Sequence, residues 1–205
     1  MYILDRWVRM LAPFAPFTAE EIWEVLGNKT FVSLEKWPTP EKEKIDLKAE
    51  LEENYLVKVI EDTREAIKAT GLKPKLICYY VAPPWKMDVY AEVVSAKIKG
   101  VDPSKLIGEL AKRYREKAKE VVKLVKNLVK DLGGLSEEEL KIRASQSIDE
   151  YGVLTREKEF LSREFNAEIR VYWADDKDIY DPKGRAKLAV PWRPALYIEG
   201  EKIDR

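Results

Sequence analysis

The sequence predicts an α+β protein: the remnant of a helical bundle, followed by a helix-rich domain with a small β-sheet. Three observations predict it. Apolar residues recur at three- and four-residue spacing through most of the chain. Two stretches, "KLICYYVAPP" (75–84) and "AEIRVYWA" (167–174), instead carry contiguous or alternating β-branched and aromatic residues. And the helical pattern is already running at the first residues, with no capping signal before it.

Ile3, Trp7, Met10, Leu11 and Phe14 fall at helical spacing, which predicts an amphipathic helix over residues 1–12. Pro13 and Pro16 end it, because proline lacks an amide proton and restricts the residue before it. Thr18 and Glu21 suit a capping box for a second helix that stops at Gly27. Two short helices cannot bury both their apolar faces. Residues 1–44 are therefore expected to be the tail of a bundle, closed by the Pro-bearing charged linker "EKWPTPEKEK" (35–44), with a second domain over 45–205.

In that second domain Leu47, Leu51, Tyr55, Val59, Thr63 and Ile67 mark a long helix ending at Gly71. The strand at 75–84 follows, then a helix over 85–97. Asp102 before Pro103 signals another helix start. Residues 112–132 predict one long helix stopped by Gly133 and Gly134, and Ser136 with Glu139 forms a further capping box. A helix over 148–165 leads to the strand at 167–174. Two short strands, 186–190 and 195–199, then flank the turn from Pro191 to Pro194. No internal repeat or low-complexity tract is present.

The chain has 205 residues, 45% of them hydrophobic, enough to bury a substantial core. Basic and acidic side chains number 37 each, so bulk charge does not hold it to nucleic acid. Dense Lys and Glu resemble the composition of heat-adapted proteins. One cysteine, Cys78, excludes an internal disulfide and suits a reducing cytoplasm; without a base partner it reads as a core thiol. No apolar run approaches the roughly 20 residues of a membrane helix, and no signal-peptide pattern opens the chain. Histidine is absent, which removes Ser-His and Cys-His nucleophile pairs and mixed His zinc sites. The acidic loop "DDKDIYD" (175–181) lacks the glycine and distal glutamate of a calcium loop, and "GLKPK" (71–75) lacks phosphate-loop spacing. No metal or cofactor site is predicted.

Two clusters could bind phosphate. In 112–132, Tyr114, Ala118, Val121, Val125, Leu128 and Leu132 form an apolar stripe. Lys112, Arg115, Lys119, Lys123, Lys126 and Lys130 step along the opposite face, at about 100° per residue. Between Lys112 and Lys130 eight basic residues meet two acidic ones. A basic ridge suits a phosphate backbone; the alternative is a solvated face of a Lys-rich helix. Towards the carboxy end, Lys183, Arg185, Lys187 and Arg193 interleave with Trp192 and Tyr197, a mixture able to contact phosphates and stack on unpaired bases. The alternative there is a β-hairpin with a Trp anchor and ordinary exposed cations.

"MLAPFAPFTAEEIWEVLG" (10–27) and "SLEKWP" (33–38) resemble the helical anticodon-binding domain of class I aminoacyl-tRNA synthetases for leucine, isoleucine and valine. Leu11, Ala12, Pro13, Phe14, Ala15, Pro16, Ala19, Glu20, Glu21, Ile22 and Trp23 match, while Phe17 stands where histidine is usual. "YYVAPPWK" (79–86), "EKEFLSREFNAEIRVYWADD" (157–176) and "AVPWRPALYIE" (189–199) are similar to the C-terminal domain of archaeal and eukaryotic leucine enzymes.

That resemblance implies the following. The parent activates leucine with ATP and Mg and esterifies it to tRNA, through H-I-G-H and K-M-S-K-S motifs that this chain does not contain. This part holds no catalytic residue, metal or cofactor and grips leucine tRNA at its corner and long variable arm. Its partners are that tRNA and the rest of the parent, in the cytoplasm, with no DNA or membrane. The first candidates for RNA contact are Arg185, Lys187, Trp192 and Arg193, with Lys202 and Ile203 reaching bases at the arm's tip. Lys112, Arg115, Lys119 and Lys123 come second. The competing reading is a protein-docking domain with incidental tRNA affinity, favoured by apolar surface left exposed on the bundle remnant. A free-standing enzyme has no supporting constellation.

Overall fold

The apolar run in 75–84 becomes the middle of a sheet. In a computed structural model that describes residues 2–145 and 147–202, strand β1 (Leu72–Val81) lies between β2 (Glu168–Trp173) and β3 (Ala195–Lys202). β2 runs parallel to β1, from Leu76 opposite Glu168 to Val81 opposite Trp173. β3 is antiparallel, from Leu72 opposite Lys202 to Tyr80 opposite Ala195. Every residue from Leu76 to Ala82 is buried, because both faces of this strand are covered. The small mixed sheet amid helices makes the fold α+β.

The chain divides after Asp46 into two compact units. The first contains α1 (Tyr2–Leu11) and α2 (Pro16–Val25). Its core is small: Val8, Ala19, Trp23 and Val32, with Leu11, Ile22 and Leu26 half-buried around them. Glu20 ties in the following turn (Val32–Leu34) by accepting from the Val32 amide at 2.8 Å and the Ser33 hydroxyl at 2.9 Å. The expected Thr18–Glu21 capping box does not form: α2 begins at Pro16, which needs no amide partner, so Thr18 already lies inside the first turn. Gly27 ends the helix at φ 88°, as its position predicts. Ile3, Trp7, Phe14, Phe17, Val25 and Leu34 are exposed, Phe17 at 87%.

In the second unit, α3 (Leu47–Thr70), α8 (Glu150–Arg156) and α9 (Lys158–Phe165) cover one face of the sheet. Tyr55, Val59, Leu154, Leu161 and Phe165 pack there on Ile77, Tyr79, Val81 and Ile169. Thr63 and Tyr79 share a buried hydrogen bond of 3.0 Å. Leu76, Cys78 and Tyr80, pointing the other way, meet Ala186, Ala189 and Ala195. A separate helical core joins α4 (Pro84–Ile98), α5 (Ile107–Arg113), α6 (Ala118–Asp131) and α7 (Glu137–Ser145) through Val89, Val93, Leu110, Val121, Val125, Leu128 and Leu140. The Ser136–Glu139 capping box opens α7 as predicted, each residue bonding the other's amide, at 2.9 and 3.2 Å.

Four further sequence expectations change. The helix over 112–132 is two helices, broken at Tyr114 (φ −106°, ψ 56°) and a short turn (Arg115–Lys117). Tyr114 turns in to pack on Trp85, with ring centroids 5.8 Å apart, and α5 folds back on α6. The helix over 148–165 likewise breaks at Glu157 into α8 and α9, and Asp149 caps the first by accepting from the Gly152 amide. β1 starts earlier than expected, through Pro74, because β3 pairs with it as far as Leu72. The stretch 186–190 is a 3₁₀ turn (Ala186–Leu188) and not a strand. Among the described residues no helix is long and apolar enough to cross a membrane.

Candidate nucleic-acid interface

The turn that replaces the expected strand is held by three charged groups from elsewhere in the second unit. Asp181 accepts the amides of Arg185 at 2.7 Å and Ala186 at 2.9 Å, starting the 3₁₀ turn as a cap starts a helix. Lys86, in the first turn of α4, is only 6% exposed and donates to the carbonyls of Ala189 at 2.6 Å and Lys187 at 3.3 Å. Burial lowers its pKa; Glu120 and Asp175 oppose that and Lys117 adds to it. Glu150, at the start of α8 and 2% exposed, accepts from the Trp192 amide at 2.8 Å. Burial pushes its carboxyl up to about 7, against the Trp192 amide, the Tyr55 hydroxyl and Arg143, which lower it. Tyr55 Oη lies close enough to influence Glu150 but outside hydrogen-bond geometry, leaving Glu150 Oε2 without a partner among the described residues.

Between the Lys86 and Glu150 clamps, Val190 and Arg193 pair across a tight turn. Trp192 adopts φ 67°, a left-handed conformation that bulky residues rarely occupy, and the Glu150 bond and ring packing hold it there. Its indole lies half-buried, edge-on to Tyr55 at 6.3 Å and 6.5 Å from Tyr90, with the Arg143 guanidinium 4.5 Å above it. The half-buried ring anchors the turn that presents Arg193, and it also borders two clefts.

The exposed cations gather beside this turn. Lys183, Arg185 and Arg193 line a groove of about 780 Å³ with Asn127 of α6 and Tyr197 of β3. Lys187 and Lys123 line an adjoining cleft of about 390 Å³ with Lys86 and Glu120. Asn127, Leu188 and Val190 belong to both walls. The fold thus brings Arg185, Lys187 and Arg193 together with Lys123, and Lys119 sits one turn earlier on α6. Lys112 lies on α5, beyond the break at Tyr114, and Arg115 lies in the short turn at that break, so neither is in the α6 row. Lys202 is opposite Leu72, at the other end of β3 from this turn. Ile203 lies outside the described residues.

The surface is not uniformly basic. Asp62, Glu65 and Asp131 also line the groove, and Arg193 Nε is 3.6 Å from Asp62. Among the described residues no group of three His, Cys, Asp or Glu side chains could hold a metal ion. Lys86, Glu150, Asp181 and Arg143 were not legible as parts of this site. Glu150 beside Asp149 reads as an ordinary helix-start acid, and Asp181 as one more solvated charge.

A family model of the anticodon-binding domain of tRNA ligase matches residues 1–78. Leucine–tRNA ligases from archaea match nearly the whole chain. That of Methanococcoides burtonii is 34% identical over 202 residues, covering 96% of this chain and 21% of its own length. Those of Methanothrix thermoacetophila and Pyrococcus abyssi are each 38% identical over 200 residues, covering 96% of this chain and 20% and 19% of theirs. The chain belongs to the leucine–tRNA ligase family. It spans about one fifth of the length of the curated relatives it matches. In this member of the leucine–tRNA ligase family every cation of the gathered face lies beyond residue 78, outside the anticodon-binding match but inside the region shared with the archaeal ligases.

Proposed function

We propose that this chain grips leucine tRNA for a leucine–tRNA ligase, at the corner and long variable arm, so that the whole enzyme can attach leucine using ATP. The observation that carries the reading is the convergence of Arg185, Lys187 and Arg193 with Lys123 on neighbouring clefts of one face. Exposed cations on a fixed turn suit phosphates, and phosphate contacts position an RNA without reading its sequence. The interleaved acids limit bulk attraction, so the face favours a shaped polyanion over any polyanion. The catalytic chemistry, with its ATP and Mg, belongs to parts of the ligase outside this chain, and the chain alone is inactive.

A second reading applies to the first unit. Phe14, Phe17, Val25 and Leu34 are each at least 80% exposed, which suits a surface covered by the rest of the ligase.

The test is tRNA binding at several salt concentrations. A long-armed leucine tRNA should bind more tightly than a tRNA with a short variable arm, and affinity should fall steeply with salt. Arg185→Ala with Arg193→Ala should weaken leucine tRNA binding at fixed salt. Equal binding of both tRNAs, or unchanged affinity in the double variant, overturns the reading.

A further inference from the structure

Lys86 is one of only two charged side chains classed as buried among the described residues, the other being Glu150. An ammonium group carries three donors, and the carbonyls of Ala189 and Lys187 take two. The cleft that Lys86 lines is also lined by Lys123 from α6 and Lys187 from the 3₁₀ turn, so three elements far apart in sequence each contribute one lysine to its wall. Its remaining wall is Asn127, an amide donor, the apolar side chains of Leu124, Leu188 and Val190, and one acid, Glu120. On the neighbouring side Lys117 pairs with Asp175 at 3.6 Å, and Asp181 is engaged by backbone amides. Glu120 is thus the carboxylate that lines this cleft, while Asp175 and Asp181 line the neighbouring recess that Lys86 and Lys187 also border.

We propose that Lys86, Lys123 and Lys187 form a pocket for a single phosphate group, with Asn127 as a fourth donor and Glu120 as the residue that limits its affinity. This rests on the RNA reading of the same face and gives it a specific anchoring point: one backbone phosphate seated in the cleft while Arg185 and Arg193 track its neighbours along the groove. Among the side chains that line the cleft three lysines meet one carboxylate, and with Lys117, Asp175 and Asp181 of the neighbouring recess counted the balance stays positive, beside an apolar wall that weakens screening. Lys86 has a double part. It shapes the turn that carries Lys187, and its third donor faces the anion. The lowering of its pKa by burial is the cost that a bound phosphate would relieve.

The probe is inorganic phosphate against chloride at matched ionic strength, followed by the thermal midpoint of the intact chain. Phosphate should raise the midpoint of the wild type. Lys123→Ala combined with Lys187→Ala should abolish the rise; both side chains are exposed, and alanine keeps the Lys187 carbonyl that Lys86 holds. Glu120→Gln should enlarge it. Lys86→Met should also abolish it, and the exposed pair decides the matter if that variant does not fold. With leucine tRNA in place of phosphate, each lost lysine should reduce the log–log salt slope by about one. A phosphate response that survives in the double variant, or is unchanged by Glu120→Gln, overturns the pocket. If tRNA binding depends on Arg185 and Arg193 while the phosphate response ignores Lys123 and Lys187, the pocket falls and the RNA reading stands. If the chain binds no tRNA yet the phosphate response follows the lysines, the RNA reading falls and the pocket stands, its ligand a free phosphate.

Discussion

Replacing Glu150 by Gln should make the second unit more stable at neutral and alkaline pH and leave it nearly unaffected in acid. Glu150 is 2% exposed, and its carboxyl titrates near 7 in the folded protein instead of near the ordinary 4.5. A raised carboxyl pKa means that the folded state holds its proton where the unfolded chain has released it, so stability falls as pH rises from about 4.5 to 7. The gap corresponds to about 3 kcal/mol, fully expressed above pH 7 and absent below 4.5. Glutamine keeps an oxygen for the Trp192 amide and carries no charge to bury. Urea unfolding of both proteins at intervals between pH 4.5 and 8 measures the difference. The chain has no histidine, so few other groups titrate in that window. The two stability curves should diverge by about 3 kcal/mol on going from acid to pH 8. Parallel curves would refute the view that Glu150 is held, charged and desolvated, beneath the Trp192 turn.

Two further substitutions probe the frame of the site. Gly200→Ala would put a methyl carbon 2.0 Å from the Lys73 carbonyl oxygen, so β3 must shift on β1; a loss of about 1–3 kcal/mol is expected in thermal or chemical unfolding, and no loss would mean the pairing tolerates a side chain there. Asp181→Ala removes the acceptor for two amides at the start of the 3₁₀ turn; faster hydrogen exchange at Arg185 and Ala186 and weaker leucine tRNA binding should follow, whereas unchanged exchange would show the turn needs no cap.

What the sequence revealed follows from how local each signal is. Caps such as Ser136–Glu139 and Gly27 depend on neighbours within four residues, and they appear where expected. The central strand was legible because an apolar run of that length suits few other structures. The break at Tyr114 was not: periodicity continues through it, and only the docking of Tyr114 on Trp85, from another helix, selects two helices over one. The same holds for the site. Arg185, Lys187 and Arg193 could be chosen by residue type, and Lys123 by its row, but their meeting depends on Asp181, Lys86 and Glu150, which act across separations of 4 to 103 residues. Trp192 was legible as important, but its part in anchoring the turn was not, because an aromatic beside two cations looks the same whether it faces solvent or core.

The central strand also imposes an order of events. β1 is made long before either neighbour: its parallel partner β2 follows only after six intervening α-helices, and β3 comes later still. During synthesis the most apolar segment of the second unit must wait, without its lateral hydrogen bonds, while roughly half the polypeptide emerges. Pairings so distant in sequence form slowly. A nascent chain stalled before residue 195 would leave one edge of β1 open to pairing with another molecule.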